Sequence, residues 1–418
     1  MESEDRVVLR ELASWQAEAS ASAANRAKIA AWYAHDAWAP ERRPMVIAEL
    51  RGWDEPHGPV RGTDLRCTEP WARALEYRLR MLRHHVEVLG DDHVVPPYAA
   101  CAPAVGRGDF GVPSGIHRAT GADRLAFNYR PPLERLDDAD FARLHHRTPH
   151  WRRAEQEQAA ERLAAVYDGL LPVRLTDAPW QFHIPLTSTA FDLVGLEGFM
   201  FLLHDNPAGV LRLMAFLRDD QMLWLDWLEA EGLLPANHEA DYVGAGSVGY
   251  THDLPAPDFA GRVRCRDRWT GCESQESVSI SPTQYHEFVF PYLAPLMARC
   301  GKVYYGCCEP THTIWDDLRT VPNLARVSVS PWADEAFMGR ACRERRVVYS
   351  RKPSPNPISA ERYDEGLQRA QFDRTVAAAQ GCSLEIIQRD VYVTGGEPAR
   401  LVRWVALARE ACAAWRAA

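Results

Sequence analysis

No apolar run in these 418 residues approaches the roughly 20 needed to cross a bilayer. A basic field is missing too. The formal net charge is −9 and the pI near 5.9, which excludes attraction to nucleic acid or to an anionic membrane surface. The ten cysteines contain no Cys-x-x-Cys pair and no zinc-finger spacing. The N-terminus, Met-Glu-Ser-Glu-Asp, is acidic where a signal peptide is basic and then apolar. Together these absences point to a cytoplasmic protein, whose cysteines are expected to be thiols.

What is present is material for a large core, with 46% of residues hydrophobic. Residues 1–40 predict a helical arm, with Leu9, Leu12 and Trp15 followed by an Ala-rich run to Trp38. Residues 44–50 form the first expected strand, an apolar run closed by Glu49. A helix is expected over 70–88, and a charged one over 141–169 with breaks near Pro149. The Gly- and Pro-rich stretch 101–135 lacks periodicity and reads as a long loop excursion over the mouth of the fold, with a short hairpin. Asn206 and Pro207 suit the cap and first position of a long apolar helix. Ser281-Pro-Thr-Gln284 matches a capping box and predicts a helix to Cys300.

From there strands at 302–306, 325–329, 346–350 and 384–388 alternate with helices at 311–319, 333–342, 358–378 and 398–415. Such alternation builds a parallel sheet with covered faces. Earlier strands, including 241–245, bring the count near eight. The expected fold is α/β: a (β/α)8 TIM barrel over 41–418, carrying the N-terminal arm.

Parallel strands gather their C-terminal ends on one rim, where such proteins collect their chemistry. Here those ends carry Cys307, Cys308 and Glu309; Ser328, Ser330 and Asp334; Ser350, Arg351 and Lys352. Adjacent strand residues face opposite ways, so only one of Tyr304 and Tyr305 reaches the site, and both cysteines do so only if their strand has ended. A catalytic zinc needs three converging ligands. Cys307 or Cys308 with Glu273, Glu309, His312 and Asp390 are the candidates. Without a metal, Glu273, Glu276, Glu309 and Asp390 are candidates for acid–base work. Arg351 and Lys352 suit an anionic substrate group. Trp332 walls the pocket or caps the core, and Ser330 caps a helix or touches the ligand.

Two blocks add a family resemblance. Leu186-Thr-Ser-Thr-Ala-Phe-Asp-Leu-Val-Gly-Leu-Glu-Gly-Phe199, with His204-Asp-Asn-Pro207, is similar to a small-residue turn and a "DNP" helix start. Ser281-Pro-Thr-Gln-Tyr-His-Glu-Phe-Val-Phe-Pro-Tyr292 is similar to "SPxxFxEFVxPY". Both are features of the uroporphyrinogen decarboxylase superfamily, which includes zinc-dependent methyltransferases that work with corrinoid proteins. The likeness runs from Thr176 to the C-terminus. It implies a barrel, a homodimer and a metal motif at the strand before Cys308. Cys308 stands where that family has its cysteine, Gly306 where it has a histidine, and Asp390 near its last cysteine; a shifted register matches Cys307 instead, with Tyr305 at the histidine position. No Arg-rich "RQAGR" signature stands near Glu41–Arg51, so porphyrinogen decarboxylation is not expected.

The expected activity is therefore methyl (one-carbon) transfer or demethylation of a small anionic substrate, with a thiol or corrinoid as partner and zinc assisting. No corrinoid-binding "DxHxxG" segment is present, so a corrinoid would arrive on a partner protein or as a free cofactor. The alternatives are a metal-free decarboxylase or lyase using the rim carboxylates with Arg351 and Lys352, and a non-catalytic ligand-binding homologue.

Overall fold

The computed structural model describes residues 3–49, 58–113, 115–118, 127–179 and 181–417. Its centre is a six-stranded parallel sheet. The strand order is Met45–Ala48, Leu384–Gln388, Val348–Arg351, Leu324–Val329, Lys302–Tyr305 and Trp269–Cys272. Period-two alternation sorts these strands into two faces. Val46, Ile386, Tyr349, Val327, Val303 and Tyr305 belong to the main apolar core. Covering helices contribute Leu213, Leu293, Met338, Phe372 and Trp404 to the same core.

The opposite face is polar at its centre, bearing buried Arg326, Ser328, Ser350, Lys352 and Glu385, with Met45, Ile47 and Ile387 towards one edge and Tyr304 and Trp269 towards the other. An antiparallel hairpin, Tyr242–Gly244 with Ser247–Val248, lies against it. Ser247 Oγ donates to Glu385 Oε2 (3.0 Å), and Arg326 Nη1 donates to the Val248 carbonyl (2.7 Å). Gly246 turns the hairpin at φ 87°, and a Cβ there would sit 2.6 Å from Ile387 Cγ2. Only glycine satisfies both the backbone angle and the space. The strand expected at 241–245 thus exists, but outside the parallel sheet.

The closed eight-stranded barrel is not formed by these ladders. At the Met45–Ala48 edge, the Val46 and Ala48 amides donate to Asp92 Oδ2 (2.7 Å) and Asp91 Oδ2 (3.1 Å), and the Asp92 amide donates to the Val46 carbonyl (2.8 Å). Those contacts occupy the backbone groups that a seventh strand would need. At the other edge Ile184 makes an isolated parallel bridge to Cys272. Ala99–Cys101 and Val173–Leu175 form a separate parallel pair.

The arm consists of helices Ser3–Ser20 and Ala23–Asp36. The first packs Val8, Leu9, Leu12 and Ala13 against Leu75, Leu79, Leu163 and Val166. At the end of the second, Asp36 pairs with Arg326 (3.0 Å) and Lys302 (2.9 Å) on the sheet. The expected 141–169 helix is broken at Pro149, where a short strand, Pro149–Trp151, precedes the helix Arg153–Tyr167. The capping box opens Pro282–Phe288 as expected, and the helix then breaks. Pro291 lacks the amide that would continue it. The excursion holds the hairpin Ile116–Arg118 with Phe127–Tyr129. Among the described residues no single helix is long and apolar enough to cross a membrane.

Candidate active site at the sheet rim

Gly306, at φ 96°, ends the Lys302–Tyr305 strand. Alternation therefore stops before the cysteines, and the Cys307 and Cys308 sulfurs lie side by side, 3.6 Å apart. The Ser328 hydroxyl donates to the Cys307 carbonyl (2.7 Å), and the Cys307 amide donates to Glu309 Oε2 (2.8 Å). Arg389, from the end of the Leu384–Gln388 strand, points Nη1 at Cys307 Sγ (3.6 Å) and pairs through Nε with Glu49 Oε2 (3.0 Å). A hydrogen bond from the Cys307 thiol pulls Cys308 below the usual thiol range and pushes Cys307 up, while burial and the Asp390 carboxylate oppose ionisation of Cys308. The shared S–H···S contact thus favours ionisation within the pair, with the Cys308 thiol shifted downward.

The two rim glutamates differ in kind. Glu309 is buried and accepts backbone amides from Ser274 (3.0 Å) and Cys307 (2.8 Å), so it brackets two strand ends together. Glu273 stands 3.9 Å from His183 Nε2, and its Oε2 is buried without a hydrogen-bond partner. Burial, then Cys307, Glu309 and Glu276, push its carboxyl up to about 9. At neutral pH Glu273 is a protonated acid, able to donate.

Beside the thiols opens a pocket of about 490 Å³, lined by Gln275, Glu276, Val278, Cys308, Pro310 and Trp332. Trp332 is 67% exposed and forms a wall rather than a core cap. Glu276 Oε2 accepts from the Thr187 hydroxyl (2.8 Å). This pocket has the size and apolar walls of a small-molecule site.

Several expected site residues lie elsewhere. Arg351 is on the apolar-core side of its strand, paired with Glu335 (3.1 Å) and donating to the Val329 and Ser330 carbonyls. Lys352 lies on the polar side but is buried, its Nζ 2.5 Å from Ser350 Oγ and 5.5 Å from the Tyr304 ring centroid. Burial lowers its pKa to about 7. Neither cation lines the pocket. Tyr305 turns to the core side, where its hydroxyl meets Ser274 and Tyr285. Ser330 is buried, and the helix it was expected to cap is capped by Asp334, whose Oδ1 accepts from the Phe337 amide.

His312 Nδ1 accepts from the Asp334 amide (3.2 Å) and so supports that cap. Cys307, Cys308 and His312 do not converge as zinc ligands. Among the described residues, the group of three whose ligand atoms come within 4.8 Å of one another is His85, Asp91 and His93, at the Met45–Ala48 edge. Both imidazole Nδ1 atoms there contact Asp91 Oδ2 at 2.9 Å, which also holds the Ala48 amide. That edge contact occupies the Nδ1 atom of each ring.

Arg389, Gln275 and His183 escaped the sequence reading. Arg389 sits directly before Asp390 at a strand end, and that position was the available signal. The other two come from loops whose path no periodicity gives.

A parallel α/β sheet with a thiol pair on its rim is the frame these residues define. The fold is similar to that of a methyltransferase from Methanosarcina mazei, with a TM-score of 0.51 and 12% sequence identity over 92% of this chain and 98% of that one. The two share a methyltransferase-like fold. No family profile matches the sequence, and no curated protein matches it.

Proposed function

We propose that this chain is a methyl-transfer enzyme of the uroporphyrinogen decarboxylase superfamily, with Cys307 and Cys308 as its reactive centre. The carrying observation is that Cys308, whose thiol is pulled down by Cys307, opens onto the 490 Å³ pocket. A thiol with a lowered pKa is a soft nucleophile suited to one-carbon chemistry. Cys307 donates to that sulfur, Arg389 stabilises the pair's charge, and Glu309 holds the loop carrying both. The methyl acceptor or donor, a thiol or a corrinoid, arrives as a separate molecule or on a partner protein. The two thiols are in place for a metal, but the described residues assemble no third ligand beside them.

The test is turnover of isotopically labelled methyl donors by the Cys307→Ser and Cys308→Ser variants, beside elemental analysis of each. Cys308→Ser is expected to lower kcat at least ~100-fold, the usual cost of losing a nucleophile. Unchanged activity in both variants removes the thiol pair from the reaction. A second reading, a metal-free decarboxylase or lyase, draws on the protonated Glu273 with its unpartnered Oε2. It requires that Glu273→Gln abolish turnover while Cys308→Ser spares it.

A further inference from the structure

We infer that the pocket between Cys308 and Trp332 receives a methylated cation, a quaternary ammonium or tertiary sulfonium group, and not an anionic head group. The inference rests on that pocket being the substrate site proposed above, and it names the substrate class.

Charge is the first argument. Glu276 lines the pocket, and among the described residues no lysine, arginine or histidine forms an ion pair with it. Glu276 acts electrostatically on both Glu273 and Glu309, and Asp390 acts on Cys308. Glu276, Glu309 and Asp390 thus place three carboxylates on one side of the rim, beside the protonated Glu273. Of the nearby cations, Arg389 is shared between Glu49 and the Cys307 sulfur and does not line the pocket, Arg351 is paired with Glu335, and Lys352 is buried against Ser350. An anion entering here meets repulsion, and a cation meets attraction.

Wall chemistry narrows the choice. Val278, Pro310 and Trp332 offer apolar surface, which would strip water from a primary ammonium without replacing its hydrogen bonds. An onium centre has no N–H to satisfy and is weakly hydrated, so it loses little. An exposed tryptophan face is also the best aromatic partner for such a charge. Tryptophan, carboxylate and apolar walls in one pocket form a recognition set for methylated cations.

The experiment is calorimetric titration of the full chain with tetramethylammonium chloride. 3,3-Dimethyl-1-butanol serves as the neutral isostere and sodium methanesulfonate as the anion. Tetramethylammonium is expected to bind saturably, about tenfold tighter than the isostere, a ratio equivalent to the ~1.4 kcal/mol of one cation–π contact. Trp332→Leu and Glu276→Gln are each expected to weaken it several-fold, and Trp332→Phe to retain most of it. Trp332 is exposed, so its variants fold. Equal affinity for the isostere, binding of methanesulfonate, or no saturable tetramethylammonium binding overturns the inference. These are equilibrium readouts, so their failure is separate from loss of the methyl-transfer reading, which turnover in Cys308→Ser decides.

Discussion

Arg351 and Lys352 are neighbours in sequence and strangers in space. One residue of alternation sends Arg351 to Glu335 beneath a helix and Lys352 toward Ser350 and Tyr304. The same parity separates Tyr304 from Tyr305. Parity was legible in the sequence, but which parity faces the site was not, because it depends on which face the helices cover. Cys307 and Cys308 escaped parity through Gly306, whose positive φ marks the strand's end. Glu273 gives a pH prediction at this scale. Its ordinary value is 4.5 and its folded value about 9, so between those the folded state holds a proton that the unfolded chain has released. Stability contributed by that proton is complete below about pH 4.5 and is lost as pH rises toward 9. Glu273→Gln keeps the neutral form and is expected to flatten this slope. At pH 9 the variant should exceed the parent by on the order of a few kcal/mol. Denaturant unfolding at pH 5, 7 and 9 reads the difference, and parallel profiles would refute it.

Among elements, the late strands were readable almost to the residue, because each is a short apolar run between helix signals. Barrel closure was not readable. It fails at an edge occupied by Asp91 and Asp92, and no periodicity announces that a carboxylate will take a backbone amide's partner. The hairpin at Tyr242–Val248 was equally hidden. Its apolar run looks like any strand, and only the three-dimensional packing lays it across the polar face. Gly246 makes that placement testable. Gly246→Ala adds a Cβ 2.6 Å from Ile387 Cγ2 and 3.2 Å from Glu49 Cδ, at a backbone angle alanine resists. A loss of about 2–4 kcal/mol is expected from strain and overpacking together. Because Glu49 holds Arg389, the variant should also react faster or slower at Cys307 with a thiol reagent. An unchanged denaturation midpoint would show that the hairpin is loosely held.

For the whole molecule, the arm is not an appendage. Asp36 reaches across to Arg326 and Lys302, and the Arg326 guanidinium, fully buried, also touches Ser247, Glu385 and the face of Trp269. The sequence showed two helices and an apolar stripe, but not that their last acidic residue is the counter-charge of the sheet. Asp36→Ala is expected to cost about 3–5 kcal/mol by leaving buried cations underpaired. The Asp36→Ala/Arg326→Met double variant should recover part of the loss. If denaturation shows the single variant within ~0.5 kcal/mol of the parent, a typical surface-substitution range, the arm is peripheral after all.

The Met45–Ala48 strand pairs only with Leu384–Gln388. Arg42 and Gly381, which bond beside that ladder, lie 339 positions apart. A ribosome adding residues at cellular speed takes roughly 20 to 70 seconds to span that gap. Throughout that interval an apolar strand has left the exit tunnel without the neighbouring strand of its sheet. The nascent chain must be shielded while it waits, so its yield in a cell should depend on chaperone supply and on translation rate.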